Sequence, residues 1–134
     1  MKELILLVGP PASGKSTLAS KFPNHVRISQ DDQGKEHLNI FNLALSQGKN
    51  IIVDRMNHTK EQRSRFIIPA KLQEYHVTVY YLESATKELC LERAIARQGH
   101  PTIKNEKQAN RAINYFFDKF EKINNNEFDT LILL

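Results

Sequence analysis

Short apolar runs recur along this chain, separated by longer stretches whose apolar residues fall at three- and four-residue steps. The runs cover residues 4–8, 25–28, 50–54, 77–82 and 130–133. They hold Val, Ile, Leu and Tyr with little polar alternation, the pattern of strands covered on both faces. The stretches between them predict helices. "KSTLASKF" follows the first run, and "KEHLNIFNLALSQG" sets Leu38, Phe41 and Leu45 on one face before Gly48, a helix stop signal. "KEQRSRFIIPAKLQ" follows Thr59, which with Gln62 predicts a capping box. Pro69 inside that stretch predicts a kink or an early end. "TKELCLERAIARQ" follows the fourth run, and Ala109, Ile113, Phe116, Phe120 and Ile123 predict the core-facing stripe of a last helix.

Strand–helix alternation predicts an α/β fold, a parallel sheet of about five strands flanked by helices, in a single domain over residues 1–134. Ligands of such sheets gather beyond the carboxyl ends of the strands. Val8 and Asp54 end the first and third runs, and Asp31 and Asp32 follow the second. These positions, far apart in sequence, can therefore share one crevice.

"GPPASGKST" stands at that place after the first run. Gly9, Gly14, Lys15 and Ser16 match the phosphate-loop pattern G-x-x-x-x-G-K-[ST] in full. A chain of this length meets the pattern by chance roughly once in 200, and here it also lies between a predicted strand and a predicted helix. Gly9, Ala12, Ser13, Gly14, Lys15, Ser16 and Thr17 are the expected triphosphate-binding residues. The glycines allow a tight turn, the helix start offers unpaired N–H groups, and Lys15 adds a point charge. The Ser16 hydroxyl is a hard oxygen ligand for Mg²⁺, and Asp54 is the expected second metal-positioning residue. The donor is ATP or GTP, which the motif does not distinguish.

A hydroxyl that attacks the terminal phosphorus must lose its proton, and a carboxylate within reach can take it. Asp31 or Asp32 fits that role; the alternative is that both only open a helix. Arg55 and Asn57 follow Asp54 and are candidates for contact with phosphate or acceptor. His58 reads as a loop residue. Arg93 and Arg97, four apart, share a helical face ahead of Gly99 and Pro101. They form a candidate lid that clamps the transferring phosphate, or else an ordinary charged face.

Charge and cysteine content add little. The net charge of +4 suits an anionic partner without requiring one. The single cysteine, Cys90, excludes an internal disulfide and reads as a packed small residue in a helix. An intracellular, cytoplasmic setting is expected. No run approaches the ~20 residues of a membrane span, and the N-terminal stretch does not read as a signal peptide. No second His or Cys stands at zinc spacing.

Taken together these residues resemble the 5′-hydroxyl polynucleotide kinases, including the kinase modules of phage and animal end-healing enzymes. "SQDDQGK", "VDRMNHT" and "RAIARQGHPTI" are most similar to the kinase module of fungal-type tRNA ligases. The likeness runs from Leu4 to about Ile103. It implies a P-loop fold with an arginine-bearing lid, Asp31 as general base, and Lys15 and Ser16 at the triphosphate and metal. It also implies Arg93 and Arg97 at the transferring phosphate, and Asp54 and Asn57 in the loop after the third strand. The phage acceptor-contacting arginine is replaced here by Gly34, so that role moves to Arg55, Arg63 or Lys35. No ligase K-x-D-G or phosphatase D-x-D-G motif accompanies it, which implies a kinase alone, with a ligase or phosphatase as possible partner in nucleic-acid repair. The expected acceptor is the 5′-hydroxyl end of RNA or DNA. A small-molecule kinase and a nucleotide-dependent switch are the competing readings.

Overall fold

The computed structural model describes residues 2–97 and 103–134, the side chains of residues 97 and 103–106 excepted. Five strands form one sheet: β1 (Glu3–Val8), β2 (Val26–Ile28), β3 (Ile51–Val53), β4 (His76–Tyr81) and β5 (Thr130–Leu133). All neighbours run parallel, in the order β2-β3-β1-β4-β5. The helices between them are α1 (Lys15–Ala19), α2 (Gln30–Gln33), α3 (His37–Ser46), α4 (Lys60–Leu72), α5 (Lys87–Arg97) and α6 (Ile103–Lys119). Among the described residues, no helix is long and apolar enough to cross a membrane.

The continuous apolar runs have the reason expected of them. β1 is central, so alternate side chains meet different layers. Leu4, Leu6 and Val8 pack with Phe41 of α3, Phe66 of α4 and Phe116 of α6. Ile5 and Leu7 face the other way, onto Ala19 of α1. A third cluster joins α5 to α6 through Cys90, Ala94 and Ile113. Burial pushes the Cys90 thiol up, which keeps it protonated and inert, in line with a packed residue.

Three details differ from the sequence-based expectation. α1 is only five residues long; the chain then leaves it through tight turns, with the Lys21 and Phe22 amides bonded to Leu18 and Ala19 carbonyls. α4 runs through Pro69 to Leu72. The missing N–H deprives only the Arg65 carbonyl, on an exposed turn where water can serve it. α6 stops at Lys119, so Ile123 packs on the core from the following segment. Asp31 and Asp32 lie in the first turn of the short helix α2.

β1 decides where the site lies. The chain visits β2 and β3 on one side of β1, then crosses to β4 and β5 on the other. At such a reversal the connections after neighbouring strands diverge and leave a crevice at their carboxyl ends. The segment after β1 and the segment after β3 meet there, with the Gly9 N–H donating to the Met56 carbonyl at 3.1 Å.

Candidate active site

The near wall is the loop after β1. Gly9 has no room for a side chain: a Cβ there would lie 2.8 Å from Ser13 Oγ and 3.3 Å from Leu82 Cβ. Ala12 at φ 64° and Gly14 at φ 102° are both left-handed. Alternating hand along a loop turns successive N–H groups toward a common concavity, a backbone arrangement suited to anions. α1 opens at Lys15 with Gly14 in the cap position and no side chain on its first N–H groups, leaving them for a ligand. Lys15 folds over the loop, its Nζ donating to the Pro10 carbonyl at 2.7 Å.

Asp54 forms the floor. It follows β3, its N–H bonded to the Ile28 carbonyl at 2.8 Å, and its carboxylate is buried. Its Oδ2 accepts from Ser16 Oγ at 3.2 Å and from Arg27 Nη2 at 2.5 Å. The Ser16 hydroxyl and the Asp54 carboxylate thus bring hard oxygens together beside the phosphate loop. That donor chemistry fits Mg²⁺ if phosphate and water oxygens complete the shell. No group of three or more His, Cys, Asp or Glu stands ready for a metal among the described residues.

The far wall is α2. Gln33 closes the turn that launches it: Gln33 Oε1 accepts from the Ser29 N–H at 3.1 Å, and Nε2 donates to the Arg27 carbonyl at 2.8 Å. Consecutive helical residues point about 100° apart, so the two aspartates part. Asp31 lines the cavity; Asp32 turns to Arg27 at 3.8 Å, its side chain 65% exposed.

Arg55 stands beside Asp31 on the same cavity. Its guanidinium lies 5.7 Å from the Phe66 ring centre and 3.2 Å from His37 Nε2. His37 is buried, and its Nδ1 lies 2.7 Å from the Gly34 carbonyl. A carbonyl only accepts, so Nδ1 carries the proton and Nε2 receives the Arg55 N–H. Burial lowers the Arg55 pKa, Arg65 lowers it further, and the Asp31 carboxylate opposes both.

The cavity between these walls measures about 480 Å³. Lys15, Ser16, Asp31, Asp54 and Arg55 all line it, with His58 and Tyr115 at one side. A second hollow, of about 420 Å³, lies on the other side of the phosphate loop, lined by Ser13, Gly14, Thr17, Lys21 and Arg93. Arg93 Nη1 donates to the Ser13 carbonyl at 3.4 Å there. Arg93 therefore borders the loop from outside the cavity that holds Asp31. The Arg97 side chain, with Gly99 and Pro101 of the expected lid, lies outside the described residues.

Asn57 corrects the sequence-based expectation. It is fully buried, at φ 50°, with Nδ2 donating to the Leu7 carbonyl at 2.7 Å. It braces the loop after β3 against β1 and does not reach the cavity. Arg63, a candidate for acceptor contact, is also fully buried. It donates to Glu127 Oε1 at 2.7 Å, to the Asn57 carbonyl at 3.0 Å and to the Glu121 carbonyl at 2.9 Å. Buried side chains like these hold the loop that carries Asp54 and Arg55. Sequence reasoning missed Arg27, His37 and Tyr115. Arg27 carried one signal, a charged residue in the middle of an otherwise apolar strand.

His58 is buried against Tyr115, ring centres 5.2 Å apart, and its Nδ1 has no partner. Burial lowers its pKa, and Arg55 and Arg63 lower it further. The native chain thus resists a proton that the unfolded chain binds below about pH 6.5. Stability should therefore fall as pH drops through that range, because the unfolded state binds more protons. Melting curves at neutral pH and about one unit below the histidine range test this. His58→Phe should shrink the loss on acidification, and equal losses in both proteins would refute it.

No protein-family model matches the chain. Over 110 residues it is 36% identical to the protein "Transcription factor bHLH140" of Arabidopsis thaliana, covering 72% of this chain and 12% of that one. Over 126 residues it is 31% identical to the bifunctional polynucleotide phosphatase/kinase of Schizosaccharomyces pombe, covering 90% of this chain and 30% of that one. The chain thus spans less than a third of the length of these curated relatives. Among solved structures, Kti12 of Chaetomium thermophilum in complex with ADP-AlF3 superposes with a TM-score of 0.59 at 19% identity, over 98% of this chain and 88% of that one. A protein of Chloroflexus aurantiacus assigned as a kinase superposes with a TM-score of 0.66 at 13% identity, over 99% of this chain and 84% of that one. The five-stranded parallel sheet, with helices on its faces and a phosphate loop after its central strand, is a P-loop type of α/β fold, and it is the fold that these two solved structures share with this chain.

Proposed function

We propose that this chain transfers the γ phosphate of ATP or GTP to the 5′-hydroxyl of a polynucleotide. One observation carries the reading: a carboxylate, Asp31, and a guanidinium, Arg55, line the same cavity as Lys15 and Ser16 of the phosphate loop. A phosphate loop needs only a donor. A carboxylate facing it from another element is what an alcohol acceptor needs, since the attacking oxygen must shed a proton. The likeness to a polynucleotide phosphatase/kinase supports a polynucleotide as acceptor.

The donor phosphates lie along the loop amides, with Lys15 offsetting the charge that builds on the β and γ oxygens. The nucleoside part of the donor extends toward the second hollow, past Thr17 and Arg93. The 5′-hydroxyl enters opposite, between Asp31 and Arg55. Its oxygen forms a bond to the γ phosphorus as the bond to the β-phosphate oxygen breaks, and its proton passes to Asp31. Arg55, held by His37 and Phe66, meets phosphate charge on the acceptor side. Ser16 and Asp54 would hold Mg²⁺, which supplies charge neutralisation to the donor phosphates. Arg93 borders the donor from the second hollow, Arg97 is the lid arginine of this reading, and repair of broken strands, alongside a ligase or phosphatase, is its setting.

The test supplies each labelled triphosphate with 5′-hydroxyl RNA, 5′-hydroxyl DNA and a panel of nucleosides and sugars. Label at the 5′ end of RNA or DNA is the expected result. Label on small metabolites alone would sink it.

A further inference from the structure

The face of α6 beside the cavity has no part in the chemistry above. Lys107, Asn110, Arg111, Asn114, Tyr115 and Asp118 line a shallow hollow of about 470 Å³ on it. Tyr115 also lines the cavity of Asp31, so the two spaces adjoin at this residue. Tyr115 is 48% exposed, and its ring packs edge-on with that of buried His58. Lys107 and Arg111 are exposed. The side-chain oxygens of Asn110 and Asn114 are withdrawn from solvent and have no partner. Buried amide oxygens left unpaired are costly, and a turn of either amide would offer the hollow both donor and acceptor.

Resting on the polynucleotide reading, we infer that this face of α6 is the track for the nucleotides that follow the acceptor end. The strand leaves the cavity past Tyr115, on which the first base stacks. Lys107, Arg111 and Tyr115 stand four residues apart, so each step along the helix is about 6 Å, comparable with the backbone repeat of an extended single strand. Arg111 and Lys107 meet successive phosphates, and the two asparagines meet base edges or sugars. Asp118 lies beyond Tyr115 in the same hollow and repels phosphate, which directs the strand toward Lys107. The occupant is single-stranded, because a stacking ring needs an unpaired base face.

The test compares a nucleoside 3′-monophosphate with 5′-hydroxyl single strands of about two, four and eight nucleotides as acceptors. KM should fall about tenfold or more over the first few nucleotides, with little change in kcat. Lys107→Ala with Arg111→Ala should remove most of that gain and flatten the salt dependence of strand binding by about 1.4 units of log–log slope. Tyr115→Phe should keep the gain, and Tyr115→Leu should lose roughly tenfold on every strand. A KM independent of length overturns the track and leaves the kinase reading standing. So does an equal effect of the double variant on monophosphate and strand, or a duplex end preferred over a single strand. No transfer to any 5′-hydroxyl, by protein that still binds donor, overturns the kinase reading and the track with it.

Discussion

Asp31→Asn should lower kcat for 5′ phosphorylation by roughly 10²–10⁴-fold, the usual worth of a positioned base, while donor binding and melting temperature hold. The amide keeps the shape of the carboxylate and cannot accept the proton. Stability should move by less than about 0.5 kcal/mol, because Asp31 is exposed. Asp32→Asn is the matched control. Its carboxylate is adjacent in sequence, yet it faces Arg27 and solvent rather than the cavity. The control should stay within a few-fold of the parent. Single-turnover kinetics with pre-bound donor separate chemistry from product release. Equal losses in the two variants would mean that α2 acts as a charged surface, and the base assignment would fail. Full activity in Asp31→Asn would remove the assignment outright.

The largest stability effect should come from Arg63. Arg63→Met keeps much of the volume but strands what the guanidinium serves: a Glu127 carboxylate only 14% exposed and the carbonyls of Asn57, Glu121 and Lys122. Removing one member of a buried charge pair costs about 3–5 kcal/mol. For a domain of this size that is on the order of 10 °C in Tm. Glu127 is also tied to its own turn, accepting from the Asn124 N–H at 2.7 Å, so Glu127→Gln should retain some of its bonds. The double variant should recover part of the loss of Arg63→Met, a coupling that a double-mutant cycle reads directly. Denaturant unfolding of the four proteins measures it. A cost under about 1 kcal/mol for Arg63→Met would show that water reaches the stranded groups and that the loop after β3 stands without this brace. If it does matter, Arg63→Met should also weaken activity, since the same loop carries Asp54 and Arg55.

The asymmetry between these residues shows what a linear chain can and cannot display. Strand positions were legible because a parallel strand covered on both faces is a short continuous apolar run. The phosphate loop was legible because all its requirements fall on consecutive residues: tight backbone at Gly9, left-handed backbone at Gly14, charge and hydroxyl at Lys15 and Ser16. Asp54 was legible as a polar residue ending an apolar run. Alternation of strand and helix then carried these local features to one end of a sheet.

What lay beyond reach depends on the direction of side chains that neighbouring residues cannot reveal. In a turn of helix Asp31 and Asp32 are equivalent by type; the Gln33 clip and Arg27 decide which one meets the cavity. Arg55, Asn57 and Arg63 all read as polar candidates for an acceptor. The backbone at Asn57 is left-handed and turns its amide under β1, and α4 buries Arg63 against a segment 58 to 64 residues away. Only Arg55 remains in the cavity, held by a histidine 18 residues earlier. The chain alone therefore determined the sheet, its core and the anion-binding loop, because each is specified by apolar period or contiguous backbone geometry. The tertiary structure decided which charged groups face that loop and which are spent as braces, because that choice rests on contacts between segments brought together only by folding.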